Sequence, residues 1–341
     1  MRWTTPLGLA LALAPAACKQ TIIVDQGADG GGGVSLDGGP LPTCSGPTIK
    51  LKPRSAELIV ALDRSAGMNE RFGDSSTGLA AAREALDFYA ARYQNAALFG
   101  YVEFPGYDQR CSQPACCAST LSLPSPNIQA FDFALHACDG DPPSCPPPTS
   151  QRPTVPALGS VASYFGKSGA QSQFLLLITN GMPGCDYAQN ASCSDAQAAV
   201  QQMRRLNIPT TVVVPTSFQI DEMTRGCLQA IALQGADSNN LPAPYYLLAT
   251  TPVELTDTLG QIAHDVARDA CHLDQQTSMP TQIKPDTVLA WKGMQVPFGN
   301  GWDIDGNGFI VDVKGNWCDS LITGDPEADL RLMTGCDQTY H

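Results

Sequence analysis

Positions 58–68 read LIVALDRSAGM, an apolar run that ends abruptly in a polar loop. The apolar part, 58–62, contains no polar residue, which is the pattern of a strand covered on both faces of its sheet. The loop opens with Asp63 and Ser65. Because helices must cover both faces of such a strand, the segment predicts an α/β sheet with polar side chains at the carboxyl end of a central strand.

The residues that follow alternate between apolar runs and amphipathic helical segments. Strands are predicted at 97–104, 174–179, 210–214 and 245–248. Helices are predicted at 77–93, 155–164, 221–233 and from 252. A further helix is predicted to begin at Ser194, through a capping box with Gln197. This alternation predicts a mostly parallel sheet flanked by helices over residues 53–271, interrupted by a cysteine-rich insertion at about 105–148.

The two ends of the chain differ from this central region. Residues 1–17 have one basic residue, a short apolar core and small residues at the exit, which is the layout of a secretory signal peptide. Cys18 follows in a context that resembles the lipobox of bacterial lipoproteins; ordinary cleavage at an A-x-A site is the alternative. Residues 18–52 are predicted to be a flexible Gly- and Asp-rich linker. Residues 272–341 are predicted to form a small, disulfide-stapled β-rich appendage. We therefore expect an exported lipoprotein of the cell envelope, anchored in the outer membrane on its periplasmic or surface face.

The cysteine count and the charge limit the compartment and the partners. The 13 cysteines less Cys18 leave 12, an even number that predicts up to six disulfides in an exported chain. Cys116 and Cys117 are expected to pair elsewhere than with each other, and Cys185 and Cys193 are placed to close one small loop. A net charge of −13 argues against nucleic acid as a partner and against a basic membrane-docking patch.

Three segments resemble the landmarks of the von Willebrand factor A family. Residues 63–67 resemble the D-x-S-x-S that opens the metal-ion-dependent adhesion site of that family. Residues 179–181, TNG, resemble its T-D-G, and residues 151–158, QRPTVPAL, resemble its G-T-P-T-x-P-A-L. The resemblance covers about 53–271. It implies a Rossmann-like fold, a Mg²⁺ ion held by loop hydroxyls and carboxylates, and a protein partner whose acidic side chain completes the coordination of the ion.

Carried over residue by residue, the resemblance gives an incomplete ligand set. The metal ligands that it implies are Asp63, Ser65, Thr154 and Asn180, with Thr149 as an alternative threonine. Gly67 replaces the second serine and has no side chain that coordinates. Asn180 replaces an aspartate and removes one carboxylate.

Arg152 stands where the family pattern places a liganding threonine. An arginine within hydrogen-bond reach of Asp63 forms an ion pair and takes the place of the cation. We therefore expect the isolated domain to bind no metal tightly. The loops that carry Asp63, Ser65, Arg152, Thr154 and Asn180 remain the expected binding surface, because binding residues concentrate on loops held by a rigid sheet.

These observations predict a non-enzymatic module for adhesion and protein–protein interaction, with a membrane contact only through the lipid. One alternative keeps the binding role and makes it Mg²⁺-dependent. An alternative of another class is a metal-assisted hydrolase that uses Asp63, although the sequence shows no general base for it. A purely structural lipoprotein is a further alternative.

Two other patterns are interpreted as structural. Residues 303–310, DIDGNGFI, match the first eight positions of a calcium loop, but Lys314 occupies the twelfth position, where a glutamate is required. A hairpin that closes on Asn307-Gly308 is therefore favoured. The four histidines show no ligand-like spacing and are His136, His264, His272 and His341.

Overall fold

The computed structural model describes residues 38–337, except for 75, 107–115, 141–144, 146, 186–191, 218–219, 237–244, 278–281, 285 and 325–328. The predicted signal peptide, the predicted lipidation site Cys18 and the first part of the predicted linker lie outside the described residues. Within the described part of the chain, no helix has the length and apolar character needed to cross a bilayer.

The described residues contain helices and strands in alternation over the central region. The helices are α1 (Gly78–Tyr93), α2 (Ile128–Leu135), α3 (Thr154–Phe165), α4 (Cys193–Arg205), α5 (Glu222–Gly235), α6 (Pro252–Ala267) and α7 (Gly315–Thr323). The strands are β1 (Gly39–Pro40), β2 (Thr48–Pro53), β3 (Ala56–Asp63), β4 (Arg71–Phe72), β5 (Ser76–Thr77), β6 (Ala97–Phe104), β7 (Ser122–Ser125), β8 (Ser172–Ile178), β9 (Thr210–Pro215), β10 (Tyr246–Ala249), β11 (His272–Gln275), β12 (Val288–Trp291), β13 (Met294–Val296), β14 (Trp302–Ile304), β15 (Val311–Val313) and β16 (Leu330–Met333).

The central sheet has six strands in the order β10-β9-β8-β3-β6-β7. All neighbours are parallel except β7, which pairs antiparallel with β6 at one edge. The prediction of a mostly parallel sheet is confirmed. Strand β3 lies between β8 and β6. Its carboxyl end therefore lies in the middle of the edge at which the parallel strands end, which we call the upper edge of the sheet.

Strand β3 is buried along its whole length, as its uninterrupted apolar run predicts. Leu58, Val60 and Leu62 pack on one face of the sheet with residues of α1 and α6. Ile59 and Ala61 pack on the other face with residues of α3, α4 and α5. The strand period of two residues thus divides the core into two layers, one on each side of the sheet.

Helix caps fix where most of these helices begin. Thr77 accepts a hydrogen bond from the N–H of Ala80 at the start of α1. The capping box of α4 is formed by Ser192 and Asp195, two residues earlier than the predicted pair of Ser194 and Gln197. Ser192 caps the helix because its hydroxyl accepts from the N–H of Asp195 and the Asp195 carboxylate accepts from the N–H of Ser192. This pair satisfies two N–H groups that have no partner within the helix.

A second sheet, with eight strands in the order β1-β13-β12-β16-β2-β11-β15-β14, combines residues from both ends of the chain. Strand β2 pairs antiparallel with both β16 and β11. The predicted linker 18–52 therefore ends earlier than expected: residues 48–53 alternate between exposed lysines and inward apolar residues, which is a strand pattern. The appendage also contains helix α7, where the sequence predicted only strands.

Four of the five disulfides placed among the described residues connect positions at least 34 apart in the sequence. The pairs are Cys44–Cys336, Cys116–Cys185, Cys138–Cys145, Cys193–Cys227 and Cys271–Cys318. The expected Cys185–Cys193 loop is wrong, since each of these cysteines has a distant partner that sequence spacing did not indicate. The expectation that Cys116 and Cys117 do not bond each other is confirmed, and Cys117 is also disulfide-bonded.

Candidate functional site

Three loop segments converge at the carboxyl end of β3. Asp63 is the last residue of β3, and a 3₁₀ turn, Ala66–Asn69, follows it. The 179–181 segment directly follows β8, the parallel neighbour of β3. The third segment is held at the same edge by a hydrogen bond from the N–H of Ala66 to the carbonyl of Thr149, 2.7 Å long. The structure therefore brings together the three segments that carried the sequence resemblance.

The Asp63 carboxylate is fully buried at the centre of this site. Its Oδ1 atom accepts a hydrogen bond from the N–H of Ser65 at 2.7 Å. Its Oδ2 atom accepts one from Thr179 Oγ1 at 2.7 Å and one from Arg152 Nε at 3.3 Å. Both oxygens of the Asp63 carboxylate therefore accept hydrogen bonds. The donor to Oδ1 belongs to the turn that follows Asp63, and the donors to Oδ2 belong to the two other segments.

The Arg152 guanidinium lies across the site and contacts all three segments. Besides Asp63, it donates from Nη2 to Asn180 Oδ1 at 3.4 Å and from Nη1 to the carbonyl of Ser150 at 3.4 Å. Its side chain is 20 % exposed, whereas the carboxylate beneath it is 0 % exposed. Arg152 therefore closes the site from above and leaves part of its guanidinium on the surface.

Two glycines leave the space that the guanidinium fills. A Cβ atom on Gly67 would overlap with Arg152 Nη2 and would lie 2.8 Å from Asn180 Oδ1. A Cβ atom on Gly181 would overlap with the guanidinium carbon of Arg152. A side chain at position 67, where the D-x-S-x-S pattern has its second serine, would therefore have to displace the guanidinium from its place over Asp63.

Burial and ion pairing act in opposite directions on Asp63. Burial raises the pKa of the Asp63 carboxyl above its ordinary value, and the positive charge of Arg152 is the largest influence that opposes this rise. The hydrogen bond from Thr179 opposes it as well. Arg152 is therefore the main compensation for a carboxylate that has no contact with water.

The residues present do not fit a divalent cation of the kind that the sequence resemblance implies. The position over the one carboxylate, Asp63, is taken by a guanidinium, and Asn180 directs its oxygen to the same guanidinium. The Thr154 hydroxyl donates to the carbonyl of Arg152 at 3.4 Å and is buried. Ser65 is the remaining hydroxyl of the main implied set, and the hydroxyl of the alternative, Thr149, accepts from the N–H of Gln151 at 3.2 Å. A divalent ion requires more oxygen ligands than one carboxylate and one or two hydroxyls.

A buried ionic network that the sequence analysis missed supports the first loop from below. Arg64 Nε lies 2.8 Å from Glu103 Oε1, and Arg83 Nη2 lies 2.9 Å from Glu103 Oε2. Tyr101 donates its hydroxyl proton to Glu103 at 2.9 Å, and burial raises the pKa of Tyr101 well above its ordinary value. The N–H of Arg64 also donates to the carbonyl of Phe104 at 2.6 Å. The loop after β3 is thus fixed to the neighbouring strand.

The calcium-loop-like segment shows the same substitution of a side chain for an ion. Strands β14 and β15 pair as a hairpin, as predicted, and Gly308 in its loop has a φ of 80°. Lys314 Nζ lies 2.8 Å from Asp303 Oδ2, and this hydrogen bond lowers the pKa of Asp303. Asp305 Oδ1 accepts from the N–H groups of Phe309 and Ile310. The two carboxylates therefore serve the hairpin itself.

The strand order and the three convergent segments give an α/β domain that resembles von Willebrand factor A domains, with an arginine over the site aspartate. No protein-family model matches the sequence, and no curated protein sequence matches it. Several solved structures are similar to part of this chain, with TM-scores below 0.5. BatB from Bacteroides thetaiotaomicron, a conserved hypothetical protein, is 17 % identical, covers 63 % of this chain and 98 % of its own, and gives a TM-score of 0.42. The vWF domain of the type V pili tip protein Mfa5 from Porphyromonas gingivalis is 10 % identical. The match covers 65 % of this chain and 96 % of that domain, with a TM-score of 0.44. The PilB minor pilin from Streptococcus sanguinis is 11 % identical, covers 64 % of this chain and gives 0.46; the match spans 62 % of that pilin, less than two-thirds of its length.

Proposed function

We propose that this protein is an exported, non-enzymatic interaction module that binds a protein partner without a divalent cation. The partner surface is formed by the loops that carry Asp63, Arg152 and Asn180. The observation that carries this proposal is the position of the Arg152 guanidinium, 3.3 Å from the buried carboxylate of Asp63. A permanent positive charge of the chain itself thus takes the role that a bound ion has in the related adhesion sites.

The geometry of the site suits a preformed binding surface. The guanidinium connects three loops, and the loop after β3 is further held by the pairing of Arg64 with Glu103. Loops that are already ordered lose little conformational entropy when a partner binds, which favours affinity. The exposed fifth of Arg152 presents N–H donors to that partner.

The same contacts argue for binding rather than catalysis. Both oxygens of Asp63 already accept hydrogen bonds, and their donors are an amide, a hydroxyl and a guanidinium. A hydrolase of the kind considered from the sequence needs a carboxylate that is free for a metal or a substrate, together with a general base. Asp63 is better suited to fixing the loop.

Location in the envelope is also part of the proposal. Five disulfides among the described residues favour an oxidising compartment. The apolar leader 1–17 supplies the export signal, and a lipid on Cys18 supplies the membrane contact, with the linker as a tether. Mass spectrometry of the protein purified from its own membranes tests the lipid directly.

The binding face is tested with surface variants that leave Asp63 untouched. Ala66 is exposed beside the site, whereas Ala91 is exposed near the far end of α1. The mature protein, Ala66→Arg and Ala91→Arg are immobilised and exposed to the envelope fraction of the producing organism in the presence of EDTA. We expect a defined partner to be retained by the wild type and by Ala91→Arg and lost from Ala66→Arg. Retention that requires Mg²⁺, or that survives in Ala66→Arg, contradicts the proposal.

A further inference from the structure

A second cluster of ionisable side chains lies between helices α1 and α2, at residues that take no part in the site of Asp63. Asp87 belongs to α1, and Asp132 and His136 are four residues apart at the end of α2. His136 Nε2 lies 2.7 Å from Asp87 Oδ2 and 3.8 Å from Asp132 Oδ1. The three potential ligand atoms all lie within 4.8 Å of one another. One imidazole nitrogen and two carboxylate oxygens therefore lie close enough together to share one ion.

The spacing of these atoms is close to that of ligands around a small metal ion and requires only small side-chain adjustments to reach it. Two ligands bonded at about 2.0–2.2 Å to a tetrahedral ion are about 3.3–3.6 Å apart. The two distances from His136 Nε2, 2.7 and 3.8 Å, lie on either side of this range. An imidazole nitrogen favours ions such as Zn²⁺ over Mg²⁺ and Ca²⁺, which prefer oxygen ligands alone. We propose that His136, Asp87 and Asp132 bind one Zn²⁺ ion per chain, with water completing the coordination.

The opposite side of the imidazole ring has the second contact that metal-binding histidines usually have. Asp139 Oδ2 lies 2.6 Å from His136 Nδ1, so that a proton on Nδ1 is held and Nε2 is directed to the two other carboxylates. The other oxygen of Asp139 contacts Arg83, which in turn contacts the buried Glu103. The orientation of the ring is thus fixed by a chain of side chains that reaches the core, whereas a random surface cluster has no such support.

The cluster also has a place in the fold where an ion would stabilise the protein. Helix α2 lies within the cysteine-rich insertion and packs on β6 and β7, and the Cys138–Cys145 disulfide follows it directly. An ion shared by Asp87 of α1 and the two ligands of α2 connects the insertion to the central domain. We therefore expect the ion to raise the unfolding temperature, because it binds only the folded arrangement.

Zinc binding is measured on the untagged mature protein after treatment with EDTA, by calorimetric titration with Zn²⁺ and by the unfolding temperature. We expect one Zn²⁺ per chain with a rise in unfolding temperature, loss of this binding in His136→Ala and Asp132→Asn, and binding about tenfold weaker in Asp139→Asn. His264→Ala is the matched control and keeps full binding, because His264 also contacts two aspartates but completes no three-ligand group among the described residues.

Cobalt provides a second readout that does not depend on heat. With Co²⁺ in place of Zn²⁺, the intense visible absorption of a four-coordinate site is expected in the wild type and absent in Asp132→Asn. Asp132 is well exposed, so this variant keeps the fold even if His136→Ala does not. No stoichiometric binding, or equal binding in Asp132→Asn and the wild type, overturns the proposal and leaves the cluster as ion pairs only.

Discussion

Arg152 and Asp63 are 89 positions apart in the sequence, yet Arg152 Nε donates to Asp63 Oδ2 across 3.3 Å at the upper edge of the central sheet. The carboxylate is fully buried, and the arginine is its largest compensating charge. This contact occupies the position that an ion would take and connects the loops of the site. It also fills the space beside Gly67 and Gly181.

Removal of the arginine should destabilise the protein. Arg152→Ala leaves a buried carboxylate with only Thr179 and a backbone N–H as partners, which we expect to cost about 3 kcal/mol of unfolding free energy. The loss also raises the pKa of Asp63 further, because burial is then opposed by hydrogen bonds alone. Denaturant unfolding measures the first effect. An Arg152→Ala variant as stable as the wild type would show that the ion pair is not formed in solution.

A side chain at position 67 should be tolerated less well while the arginine is present. Gly67→Ser places a side chain where Arg152 Nη2 lies, and we expect a loss of about 1–3 kcal/mol from this overlap. In an Arg152→Ala background the same substitution should cost less, because the close contact with Asn180 Oδ1 is then the one that remains. A double-mutant cycle on unfolding free energy gives the coupling. Equal effects of Gly67→Ser in both backgrounds would contradict the steric explanation.

Reversal of the three departures from the family pattern should create a metal site. The triple variant Gly67→Ser, Arg152→Thr and Asn180→Asp restores two hydroxyls and one carboxylate around Asp63 and removes the resident charge. We expect it to bind Mg²⁺ or Mn²⁺ in calorimetric titration, whereas the wild type gives no binding at this site. The double variant Gly67→Ser and Asn180→Asp, which keeps Arg152, is the matched control and should bind neither ion at this site. Binding by that control would mean that the arginine does not exclude the ion.

A histidine of α6 that contacts an aspartate of α7 should make the stability of the protein depend on pH. His264 Nε2 lies 3.3 Å from Asp319 Oδ1, and contacts with Asp265 and then Asp319 raise the pKa of His264 above 6.5 despite partial burial. The stabilising contribution is therefore fully present below pH 6.5 and is lost as the pH rises through the raised value. His264→Gln should lower stability by less than about 1 kcal/mol at acidic pH and hardly at all at alkaline pH. An equal loss at both pH values would argue against an ionic contribution.

The disulfide that joins the two ends of the described chain should hold the second sheet together. Cys44–Cys336 connects the segment before β2 with the segment after β16. Its replacement by two serines should cost about 2–4 kcal/mol, chiefly by freeing the unfolded chain. Calorimetric unfolding measures this loss. The same replacement of Cys138 and Cys145, which close a loop of seven positions, should cost less. The reverse order would show that strand pairing alone holds β2 in place.

Much of the central sheet could be predicted from sequence, because buried parallel strands consist of uninterrupted apolar runs such as 58–62. The three segments of the site could be found because each follows a strand or leads a helix. Strand β2 was missed because a glycine-rich segment precedes it and its partners lie more than 200 positions away. The disulfide pairs were not predictable for a related reason, since spacing alone does not show which cysteines meet.

Contacts between side chains of different helices and strands also could not be predicted from the sequence. Nothing local to β6 shows that Glu103 faces Arg64 and Arg83, because this depends on how the strand and helix pack. The cluster around His136 had one local signal: Asp132 and His136 are four positions apart, on one face of a helix. Its third member, Asp87, is 49 positions away and joins only through the packing of α1 on α2.

The most direct test of the central claim is a crystal structure of the mature protein grown in Mg²⁺, at a resolution that shows the loop around Asp63. The account predicts the guanidinium of Arg152 against the Asp63 carboxylate, with Asn180 directed at the same guanidinium and no ion between them. An oxygen-ligated ion bound to Asp63, with Asn180 and a threonine as further ligands and Arg152 turned away, would contradict it.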